Sequence, residues 1–175
     1  MEDASTREAA PTPRSRPRVQ LRPRDGLYLL LVIAVVAFDQ FMKFVIRHTL
    51  ERGEVWPGDW PVHIVHITNT GAAFGMFQNA GPLLVVTSLI GMAAILVYLF
   101  NPGFAHPAMR AGLALMFGGA VGNLIDRIYS GEVVDFIKFP HFPAFNVADS
   151  SITIGVLLLL WAMTREPASP TQNES

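Results

Sequence analysis

Cysteine is absent from all 175 residues, which excludes disulfides, thiolate nucleophiles and thiolate metal ligands together. Charge is scarce as well. Only 15% of residues are Asp, Glu, Lys or Arg, where soluble domains carry roughly a quarter. With 51% hydrophobic residues and a mean hydropathy of +0.36, lipid is the expected solvent for much of the surface. Several hydrolase signatures are also missing. There is no Gly-x-Ser-x-Gly elbow and no His-Glu-x-x-His helix. Of five histidines, only His63 and His66 are close in sequence, three apart. On a strand those two face opposite sides, so solvated loop histidines are expected and no metal site. No cofactor motif occurs and no nucleic-acid partner is expected. No period of 20 to 50 residues marks a repeat.

What the chain does contain is four long apolar runs. Crossing a hydrocarbon core of ~30 Å takes about 20 apolar residues in a helix. The runs at about 26–46, 82–100, 107–129 and 147–163 meet that requirement. Pro82 and Pro107 stand near helix starts, where a missing amide costs little, and Asn101-Pro102-Gly103 signals a turn. Residues 1–25 and 164–175 are rich in Pro, Ser and Thr and read as disordered tails. The first run follows a long charged region and lacks a small-x-small cleavage site, so it reads as a retained anchor. The expected fold is an all-α integral membrane four-helix bundle, residues 26–163. A small extracytoplasmic β or loop element, centred on 62–68, stands between helices one and two.

Lys and Arg flanking the spans set their direction. Eight lie on one side, in the N-terminal tail, at Arg110 and at Arg165, against Arg47, Arg52 and Lys138 on the other. Both termini are therefore expected in the cytoplasm, with residues 47–81 and 130–146 outside. Trp56 and Trp60 in the first outer loop suit a membrane–water boundary.

Polar groups inside spans are costly and mark function by default. On this topology Asp39, Lys43, Asn69, Asn123, Asp126, Arg127, Asp135, Asn146 and Asp149 all map to one level, the outer boundary. Span two has no charge. Asp39 and Lys43, four apart, share a helix face and are expected to compensate each other structurally. Asp126 reads as turned aside, capping the end of span three. Asn123 and Arg127 share a face and can donate to backbone or ester carbonyls. Gly118-x-x-x-Gly122 reads as a close helix-packing face.

Asp135 and Asp149, fourteen positions apart, leave two readings open on spacing alone. They can share a proton, one activating a water while the other polarises a carbonyl. Alternatively, Asp149 caps span four and Asp135 pairs with Lys138. A polar-pocket transporter or assembly factor is the competing function, weakened by the lack of broken spans. The Gly-x-Gly-Asp pattern of peptidases that cut inside transmembrane helices is absent.

Five stretches bear on the choice: Asp39-Gln-x-x-Lys43, Asn69-Thr-Gly-Ala-Ala-Phe-Gly75, Gly118-Gly-Ala-Val-Gly-Asn-Leu-Ile-Asp-Arg127, Val133-Val-Asp-Phe136 and Phe145-Asn-Val-Ala-Asp-Ser150. In type and order this set resembles the lipoprotein signal peptidases (signal peptidase II) of bacteria, over about residues 26–163. The resemblance implies an aspartic endopeptidase of the cytoplasmic membrane, with Asp135 and Asp149 as its catalytic pair near the outer leaflet. It implies a diacylglyceryl-modified prolipoprotein as substrate, cut on the amino side of the lipidated cysteine. Asn69, Gly71, Asn123, Arg127, Asn146 and Ala148 would line or support the site. A monomer surrounded by membrane lipids is expected. The basic N-terminal tail goes beyond the family pattern.

Overall fold

A computed structural model describes residues 25–57, 60–71, 81–99 and 106–165. The expected tails and the 101–103 turn lie outside these residues. Four helices are present: α1 (Asp25–Thr49), α2 (Gly81–Leu99), α3 (Pro107–Ser130) and α4 (Val147–Met163). The first three are long and apolar enough to cross a membrane, and α4 is a shorter apolar helix of 17 residues.

α3 is the central helix, packed against each of the other three. His106 caps its start, its side chain accepting from the Ala108 amide, and Pro107 follows at the first helical position. Gly131, at φ 75°, ends it in the left-handed conformation that glycine adopts without strain, its amide donating to the Arg127 carbonyl. Small residues form the face that α3 buries, among them Gly112, Ala114, Gly118, Gly119 and Gly122. A Cβ added at Gly119 would sit 2.3 Å from the Ala148 carbonyl oxygen, and one at Gly112 2.7 Å from that of Gly155. One at Gly118 would meet Val35 at 3.0 Å. These glycines let backbones approach directly, as a bundle in lipid requires. The expected packing face is therefore correct and runs further than its Gly-x-x-x-Gly core.

α1 buries only a stripe, Val35, Asp39, Lys43 and Ile46, spaced as one helical face. Leu27, Leu30, Ile33, Phe38, Phe41 and Phe44 remain exposed around it, an apolar coat suited to acyl chains. α2 buries no residue.

The β element is larger than the sequence suggests. β1 (Val55–Trp56), β2 (His63–Asn69) and β3 (Val133–Lys138) form an antiparallel sheet in the order β1-β2-β3. The third strand comes from the loop between α3 and α4. Asn69 pairs with Val133 and Ile67 with Asp135, across an irregularity between Ile64 and Ile67. Val134 and Phe136 of β3 pack against Ile46, with Met42, Leu50, Ile64 and Val147 around them. This apolar cluster fastens the sheet to the ends of α1 and α4.

His66 corrects one expectation. It is buried rather than solvated, its Nδ1 2.9 Å from the Leu50 carbonyl oxygen. His63 Nδ1 lies 2.8 Å from the Pro57 carbonyl oxygen. Among the described residues no cluster is suited to a metal ion.

Candidate active site

The start of α4 organises the site. Asn146 is its N-cap and forms a reciprocal capping box with Asp149. The Asp149 amide donates to Asn146 Oδ1 at 2.9 Å, and the Asn146 amide donates to Asp149 Oδ2 at 3.2 Å. The Asn146 side chain has a second task. Its Nδ2 donates to Asp135 Oδ1 at 2.8 Å and to Asn123 Oδ1 at 3.1 Å. One fully buried residue thus holds both acids, one through its backbone and one through its amide.

Each acid accepts a second bond. Asn69 Nδ2 donates to Asp135 Oδ2 at 3.2 Å, and Asn123 Nδ2 donates to Asp149 Oδ1 at 2.7 Å. Asn69 is oriented in turn by the Gly71 amide, which donates to its Oδ1 at 2.9 Å. Asp135 and Asp149 line one cavity of about 1030 Å³, together with Asn69, Gly71, Asn123 and Arg127. Burial, reinforced by the Asp149 charge, pushes the Asp135 carboxyl up to about 7. Hydrogen bonds from Asn69 and Asn146 and the charge of Lys43 oppose that rise. A carboxyl raised that far keeps its proton well above the pH at which an ordinary aspartate loses it.

Asp149 does belong to a cap, but the capping box leaves its Oδ1 for Asn123 and its side chain on the cavity wall. Lys138 donates to the Phe142 carbonyl at 2.7 Å, not to Asp135. Arg127 also lines the cavity, with Nη2 3.5 Å from the Gly71 carbonyl oxygen. Asn123, expected to donate to a substrate carbonyl, lines the cavity and turns its NH2 to Asp149. Ala148 serves through its backbone, its amide donating to Asp39 Oδ1 at 2.8 Å. Of the Asn69–Gly75 stretch, positions 72–75 lie outside the described residues.

Asp126 is turned away from the cavity, but into a buried ion cluster rather than a helix cap. It is 2% exposed and takes Lys43 Nζ on Oδ2 and Arg47 Nη2 on Oδ1, both at 2.9 Å. The Asp39–Lys43 pair, at 2.7 Å and fully buried, is thereby part of a four-charge cluster. Gln40 closes it, donating to the Gly122 carbonyl at 3.0 Å and to Asp39 Oδ2 at 3.2 Å. Arg47 is a cluster member that the sequence reading passes over as a site residue, and Gln40 one that it quotes only within Asp39-Gln-x-x-Lys43. The i,i+4 spacing from Lys43 to Arg47 carried the signal for the first, masked by its position at the end of the span.

A bundle of apolar helices with a polar, acid-bearing cavity at one end fits the class of membrane enzymes. Comparison with known proteins narrows that class. The chain belongs to the signal peptidase II family, whose sequence profile matches residues 31–165. A lipoprotein signal peptidase of Symbiobacterium thermophilum is 44% identical over 140 residues, covering 76% of this chain and 91% of that one. The lipoprotein signal peptidase of Staphylococcus aureus is 36% identical over 159 residues, covering 85% and 94%. Two solved structures, each described as a bacterial membrane enzyme, superpose with TM-scores of 0.78 and 0.74 at 33% and 34% identity. They cover 86% and 81% of this chain, and 94% and 95% of their own.

Proposed function

We propose that the protein is an aspartic endopeptidase that removes the signal peptide from diacylglyceryl-modified prolipoproteins, cutting on the amino side of the lipidated cysteine. The observation that carries this reading is the pair Asp135 and Asp149, tied together by Asn146 on one cavity wall. Family membership supplies the substrate class. The two acids share one proton: one carboxyl, protonated, polarises the scissile carbonyl while the other takes a proton from the attacking water. The tetrahedral intermediate collapses as the amine of the cysteine leaves, protonated by the acid that accepted the water proton. Arg127, with guanidinium donors beyond its contact to Gly71, steadies a substrate carbonyl or ester. No metal or cofactor takes part.

The substrate's chemistry fits the location. Buried acyl chains contribute about 0.8 kcal/mol per methylene, so the lipidated cysteine stays at membrane depth. The acids stand where α3 ends and α4 begins, with the charge-bearing end of α1 beside them. We assign this level to the outer leaflet of the cytoplasmic membrane, with four spans, both termini inside and the enzyme a monomer. α4 measures about 26 Å at 1.5 Å per residue. Trp161 with Arg165 over its ring at 5.6 Å anchors the far end of that helix.

Asp135→Asn and Asp149→Asn keep the shape of the acids but cannot move the proton. Each is expected to abolish cleavage of a lipidated precursor peptide by purified protein while leaving binding of that peptide intact. The parent enzyme should show a bell-shaped pH profile whose two constants belong to the pair. An unlipidated precursor should be a far poorer substrate. Cleavage at the parental rate by either variant would end the assignment.

A further inference from the structure

Behind the acid pair lies a buried cation to which the proposed reaction gives no task. Lys43 Nζ lies 2.7 Å from Asp39 Oδ2, 2.9 Å from Asp126 Oδ2 and 2.9 Å from Asn123 Oδ1. The first two contacts are those of a structural ion cluster. The third is not needed for that. Asp126 already holds Arg47, and Asp39 already caps the Ala148 amide.

An ammonium has three donors and no acceptor, and a carboxamide has a donor end and an acceptor end. The end of Asn123 that faces Lys43 must therefore be its oxygen. Asn146 Nδ2, also a donor, meets the same oxygen at 3.1 Å. With its oxygen claimed twice, Asn123 has its NH2 turned to Asp149 Oδ1 at 2.7 Å. Turned over, the amide would set its NH2 against an ammonium and its oxygen against a carboxylate.

We propose that Lys43 is a positioning residue for the reaction: from behind the site it fixes the polarity of the Asn123 amide, and through that amide holds Asp149 as a hydrogen-bond acceptor. The inference rests on the acid-pair reading and adds to it a residue that touches neither acid. The charges facing Lys43 are Asp39 on α1, Asp126 on α3, Asp135 on β3 and Asp149 on α4, with Arg47 on Asp126 and Arg127 beyond it. A buried cation among them favours the ionised form of neighbouring acids, so both its charge and its grip on Asn123 act in the same direction.

Lys43→Met alone leaves Asp39 without its ion-pair partner and risks misfolding. The charge-balanced test is Asp39→Asn with Lys43→Gln in full-length purified protein. A glutamine can present either end of its amide and enforces nothing on Asn123. This double variant is expected to bind the lipidated precursor like the parent. Its turnover should fall by about 10-fold. Asp39→Asn, which keeps Lys43, should have a profile no higher in pH than the parent's, since the Asp39 charge opposes ionisation of Asp149 and the Lys43 charge favours it. The profile of the double variant should therefore lie above that of Asp39→Asn. A purely structural role would lower the amount of active protein without separating these two profiles, and a double variant whose profile coincides with that of Asp39→Asn overturns the proposal. Should the double variant not accumulate, Asp39→Asn with Lys43→Met is read against Asp39→Asn in the same way, and coincident profiles again overturn the proposal. Asp135→Asn and Asp149→Asn are assayed alongside. If either cuts at the parental rate, the acid-pair reading fails whatever Lys43 does. If both are inactive and the profile of the double variant coincides with that of Asp39→Asn, only the role of Lys43 fails.

Discussion

The burial that raises the Asp135 carboxyl has a cost in stability. An unfolded aspartate ionises near pH 4, whereas the folded carboxyl does so at about 7. Between these values the folded chain binds more protons than the unfolded one, so this residue's contribution falls as pH rises through the window. Below pH 4 both states are protonated and the contribution is level. Asp135→Asn removes the dependence. At pH 8 the variant should melt at a higher temperature than the parent in detergent, with the gap closing toward pH 4. A parent and variant with parallel melting curves across that range would show that Asp135 is ionised as freely in the fold as out of it.

At the level of elements, the sequence was most informative where lipid imposes a rule. Long apolar runs located all four helices, α4 to the residue and α1 short of its end at Thr49, because an unsatisfied backbone in hydrocarbon is too costly to permit other structures. Position along those runs also gathered Asp39, Lys43, Asn123, Asp126 and Arg127 at one level. Which groups touch was less legible, because it depends on rotation between helices. The Asp39–Lys43 pair was visible since both residues sit on one helix. Asp126 joining them from α3 was not, nor was the turning of Asn123 toward Asp149. β3 went unseen for a related reason. Its residues Val133–Lys138 are short and buried, and only pairing with β2, distant in sequence, makes them a strand. The glycine face gives an element-scale test. Gly119→Leu would drive its Cβ into the Ala148 carbonyl, backbone that cannot step aside without displacing the start of α4. We expect loss of at least 2 kcal/mol of stability, at the upper part of the range for overpacking. Activity should fall with it, because α4 carries Asp149. The measurement is the melting temperature together with turnover, and an active Gly119→Leu protein of parental stability would contradict the close approach of α3 and α4.

For the whole molecule, the missing cysteines become an experimental asset. Single cysteines can be introduced at Val55 and Ser169 with no background thiol. Under the four-span arrangement, a membrane-impermeant thiol reagent added to intact cells should label Val55→Cys and leave Ser169→Cys unlabelled until the membrane is opened. Labelling of both from outside would imply an odd number of crossings. Three spans with α4 lying along the surface would place the termini on opposite sides, a result opposed by the Lys and Arg distribution.

The capping box at the start of α4 carries one more consequence, which concerns the order in which the chain is made. Asn146 both begins that helix and binds the two acids, while Asp39, near the beginning of the protein, caps the Ala148 amide. A ribosome delivers α1 first and α4 last. Until the final helix is docked, Asp149 has no place beside Asp135, and Asp135 keeps Asn69 but lacks Asn146. On the proposed mechanism the acid pair is complete only once α4 has been made and docked, so a chain cut short of that helix is expected to be inactive.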